Sequence, residues 1–164
     1  MMCSMHLFGQ PDKVRTHLEN SYAGVKKSWD SANKAINEIQ KCHLSTSLND
    51  LQLNAGKAKT EMDEAVLQAK EAGFEADGIV GEAGNLNWHT IEDGANKAIT
   101  CFRKASAKFD DASSNLASAY GEESSALAID YLNNAISDIE KGMSYLKKGS
   151  DLLTETFNQS GRSK

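Results

Sequence analysis

The sequence predicts an all-α fold: an antiparallel, up-down-up-down four-helix bundle with long, coiled-coil-like helices. Three observations carry this expectation. Apolar residues recur at alternating spacings of three and four along most of the chain, which keeps them on one face of a helix. The period-two alternation of a half-buried strand is almost absent. The 164 residues contain one proline, Pro11. Scarce proline suits long helices, because an interior proline removes a backbone donor and clashes with the preceding turn.

The helices are expected at approximately 11–43, 48–83, 87–120 and 122–157. They form one bundle domain, 11–157, between a flexible segment, 1–10, and a disordered tail, 158–164. Helix one carries the seam Leu18, Tyr22, Val25, Trp29, Ala32, Ile36, Ile39 and His43. Pro11 fits its first turn, where a missing donor is not needed. Helix two opens at Ser47 and Asp50, which resemble a capping box, and continues through Leu51, Ala55, Ala58, Met62, Ala65, Ala69 and Ala72. Four glycines then fall close together: Gly73, Gly78, Gly81 and Gly84. Each interior glycine costs about 1 kcal/mol relative to alanine. The seam nevertheless runs on through Ala76, Ile79 and Ala83, so helix is the expectation for this stretch, with Gly78 or Gly81 as the candidate break.

Helix three reads Trp88, Ile91, Ala95, Ala98, Phe102, Ala105, Phe109, Ala112, Leu116 and Ala119. Gly121 is expected to close it in the left-handed conformation. Glu122 and Glu123 are expected in the first turn of helix four, where the dipole favours negative charge. Helix four has the cleanest seam: Ile129, Leu132, Ile136, Ile139, Met143, Leu146, Leu153 and Phe157, broken only at Ser150. Laid side by side, large residues of helices one and four face small ones of helices two and three. Trp29 is expected level with Ala65, Ala105 and Ile139.

Charge and motifs narrow the function classes. The net charge is −5 and no run of Lys or Arg exceeds two. A nucleic-acid binder needs a basic face to neutralise phosphates, so no nucleic-acid partner is expected. No apolar run approaches the roughly 20 residues that span a bilayer, and no membrane partner is expected. The start, "MMCSMHLFG", lacks the basic and apolar regions of a signal peptide. Cys3, Cys42 and Cys101 are odd in number and widely spaced, as free thiols of a reducing compartment would be. The cytoplasm is the expected location, with export that uses no cleavable signal left open.

Catalytic and cofactor signatures are missing. A di-iron bundle needs Glu-x-x-His on facing helices, and the nearest match, His89-x-x-Glu92, is reversed and single. Cys42-His43 and Cys3-x-x-His6 stand at opposite ends of helix one and cannot share a metal. Gly78-x-x-Gly81-x-x-Gly84 follows no strand and precedes no Lys-Ser/Thr, so it is no phosphate cradle. No catalytic, cofactor-binding or metal-ligating residue is assigned, and no cofactor is expected.

What remains is surface. Tyr131, Tyr145 and Leu152 share one heptad position of helix four, interrupted by Asp138, while Val66 and Leu67 lie off the narrow seam of helix two. Either each seam is wider than two positions, as globular helices require, or these residues form a stripe for a partner. The functional expectation is a non-enzymatic interaction protein: an adaptor, inhibitor, effector or chaperone-like partner acting through helix surfaces. A protein partner is expected, and a homodimer is one form of it. A ligand- or metal-binding bundle and a lipid-surface bundle are the alternatives.

Residues 116–157, "LASAYGEESSALAIDYL" through "LLTETF", resemble the helix–turn–helix half of the WXG100 and LXG type VII secretion proteins. Ala119-Tyr120-Gly121 stands where that family carries Trp-x-Gly, and the family's C-terminal Tyr-x-x-x-Asp/Glu signal has no counterpart here. The resemblance implies a helical hairpin and a secretion-associated role.

Overall fold

A computed structural model describes residues 12–160. It contains four helices in sequence order: α1 (Asp12–His43), α2 (Leu48–Asn85), α3 (His89–Gly121) and α4 (Ser125–Ser160). Consecutive helices pack along their lengths, and the described residues contain no strand. The all-α four-helix bundle is therefore observed. Segment 1–10, Pro11 and residues 161–164 of the expected tail lie outside the described residues, whereas residues up to Ser160 belong to α4.

The ends of the helices show why they fall where they do. Ser47 caps α2: its hydroxyl accepts the Asp50 amide at 3.1 Å and donates to the Asp50 carboxylate at 2.7 Å. The glycine-rich stretch does not break the helix, and α2 continues to Asn85. There Asn87 turns the chain with φ 55. The Asn87 amide donates to the Gly84 carbonyl at 3.1 Å and the Trp88 amide to the Ala83 carbonyl at 2.9 Å. That pair of bonds around a left-handed residue is a Schellman stop, which satisfies carbonyls the helix leaves open.

Three expectations are corrected at the next turns. Gly121 has no left-handed φ; it is the last helical residue of α3, and the chain leaves through Glu122 in extended conformation, φ −81 and ψ 134. Glu122 and Glu123 precede α4, which begins at Ser125. The Glu122 carboxylate instead accepts the backbone amides of Glu123 and Ser124, at 3.0 and 3.1 Å. The register of α3 also differs. Ser28 bonds the Ala65 carbonyl, so α1 meets α2 as expected. But Asp63 meets Ser113 and Gly56 meets Tyr120, so Ala105 is not level with Ala65. The turn lies farther along the chain than expected, at Asn87 and Trp88, and this slides α3 along its axis.

Helices α1 and α2 approach through small residues. A Cβ on Gly24 would stand 3.0 Å from the Ala72 backbone nitrogen. On either side, the buried Ser21 and Ser28 hydroxyls donate across to the Ala72 and Ala65 carbonyls, at 2.9 and 2.7 Å. Between α3 and α4 the arrangement is knob into notch. The rings of Phe102 and Phe109, both fully buried, lie over Gly149 and Gly142 of α4.

The fourth side is different. α1 and α4 meet over a much smaller area than the three sequential pairs. Tyr22, Val25, Trp29 and Ile36 of α1, and Ile129, Ile136 and Met143 of α4, are only half-buried against the core. The seam expected for α1 is thus displaced. Its fully buried stripe is Val14, Leu18, Ser21, Gly24, Ser28, Ala32, Ala35, Ile39 and Cys42, while His43 is exposed. Large side chains hold α1 and α4 apart, and the Tyr22 and Thr154 hydroxyls join them at 2.9 Å.

Candidate interaction surface

The sequence-derived candidates separate into two places. Tyr131, Tyr145 and Leu152 are half-buried and pack against the core. They sit on the side of α4 that faces α3. Lys104 of α3 lies over the Tyr145 ring, 5.7 Å from its centre. Asp138, which interrupts their stripe, is an internal tie: Lys108 and Asn115 of α3 each reach it at 3.3 Å, and Lys141 at 3.7 Å. Val66 is 8% exposed and belongs to the core, so it leaves the candidate surface. Leu67 is different; it is 56% exposed on the outer face of α2.

Leu67 has company that the sequence reading missed. Leu53 is 56% exposed and Phe74 is 70% exposed. Leu53, Thr60, Leu67, Phe74 and Gly81 recur every seven residues, which is one heptad position of α2. The helix buries Ala58, Met62, Ala65, Ala69, Ala72 and Ala76 on its opposite side. The stripe therefore points away from the bundle. Its signal was present in the seven-residue spacing, but Thr60 and Gly81 interrupt its apolar character.

Beside Phe74 a groove of about 500 Å³ runs between α2 and α3. Gly73, Ala69, Ser106 and Ala107 contribute small side chains or none to its lining, which is why it is hollow. Lys70 and Asp77 of α2 and Arg103 and Asp110 of α3 supply its charged lining. None of these four has an opposite charge at i±3 or i±4, and none makes an ion pair among the described residues. Elsewhere on the surface such pairs form, as in Lys59–Asp63 at 2.6 Å and Lys147–Asp151 at 2.7 Å.

Burial and local hydrogen bonds displace three of the titratable groups, Cys42, Tyr22 and Asp63. Burial pushes the Cys42 thiol up to about 11. Burial raises Tyr22 also, against the effect of its hydrogen bond with Thr154. Burial raises Asp63, but hydrogen bonds from Lys59 and Ser113 outweigh it and hold the carboxyl below its ordinary range. One inter-helix contact was not foreseen: His17 Nδ1 and Glu75 Oε2 lie 2.7 Å apart, across α1 and α2, and the His17 ring covers Gly78.

Among the described residues, no three of His, Cys, Asp or Glu gather as metal ligands would. Among the same residues, no helix is long and apolar enough to cross a membrane. No protein family, curated protein or solved structure matches this chain.

Proposed function

We propose that this chain is a non-enzymatic interaction protein that binds a protein partner through the outer face of α2 and α3. One observation carries the reading: the exposed heptad stripe of Leu53, Leu67 and Phe74 beside a hollow groove. A helix surface that leaves a phenylalanine 70% exposed gives up apolar burial that nearby small residues could have supplied. Aromatic anchors beside small-floored clefts are where binding energy concentrates in protein interfaces. The buried thiols Cys42 and Cys101 accord with a reducing compartment such as the cytoplasm.

The test is affinity capture from the native host with the wild-type chain and with a Leu67→Ser, Phe74→Ser variant. Both side chains face solvent, so the variant keeps its helical circular dichroism and melting temperature. The reading expects a stoichiometric partner that the variant loses. Equal capture by both chains would overturn it.

A further inference from the structure

We draw no further inference here: the strongest candidate, the groove between α2 and α3 beside the exposed Phe74, belongs to the interaction surface already described, and nothing in the structure shows what covers it.

Discussion

Asn87 shows how much of this fold turns on one residue. Its φ of 55 lies in the left-handed region, which most L-residues enter at a cost and asparagine tolerates better. The Schellman bonds to Gly84 and Ala83 depend on that conformation. Asn87→Ala should therefore cost about 1 kcal/mol in urea unfolding, while Asn87→Gly should stay within about 0.5 kcal/mol of wild type. Equal losses would show that the Asn87 side chain, rather than its backbone, holds the turn. Cys42 makes a second residue-scale case. Burial raises its thiol from an ordinary 9.0 to about 11, so the folded chain keeps a proton that the unfolded chain releases. The sign follows: below about 9 both states hold the proton and this thiol gives stability no pH dependence, and between about 9 and 11 stability falls as pH rises. Cys42→Ala should flatten that slope in a pH series of denaturant midpoints. At neutral pH the thiol should resist alkylation in the folded chain, because the thiolate is the reactive form.

Elements differ in how well the sequence announced them. The continuation of α2 through the glycines was legible because Ala76, Ile79 and Ala83 kept the spacing, and all three are fully buried. The capping of α2 was legible in Ser47 and Asp50. The contact face of α1 was not. Ser21 and Ser28 fall outside the apolar seam expected for α1, yet both are fully buried and donate to carbonyls of α2. Hydropathy cannot foresee this, because a serine's partner is a backbone atom on another helix. Trp29 and Tyr22 read as core for the opposite reason: their size hid that α1 and α4 stay apart. Phe74 escaped notice because spacing alone does not say which side of a helix will find a neighbour. The α1–α2 approach yields its own prediction. Gly24→Ala places a methyl against the Ala72 backbone, which cannot rotate away as a side chain could. The helices must separate, stretching the flanking serine bonds. The expected loss is about 1–3 kcal/mol, the usual range for overpacking. Ser28→Ala, which removes one hydrogen bond without adding volume, should cost about 1 kcal/mol. If Gly24→Ala proves no worse than Ser28→Ala in the same unfolding assay, the backbones are not in close contact.

Across the whole molecule, three seams and one seam obey different rules. α1–α2, α2–α3 and α3–α4 are extensive and close on glycine, alanine and serine, or on phenylalanine over glycine. α1–α4 is narrower in extent and rests on half-buried Trp29, Ile36, Ile129 and Met143 with one hydroxyl pair, Tyr22–Thr154. α2 and α3 therefore each have two close neighbours, whereas α1 and α4 each have one. Local opening follows the density of buried contacts. The amides of α2 and α3 should exchange slowest in native-state hydrogen exchange, and those of α1 and α4 faster. Residues 73–83 provide the sharpest reading within this pattern. Their four buried positions, Gly73, Ala76, Ile79 and Ala83, bind this stretch to the bundle, so its protection should match the rest of α2. Exchange at free-chain rates there would mean the glycines outweigh the packing. Equal protection of all four helices would mean that the sparse α1–α4 seam seals the bundle as well as the close ones do.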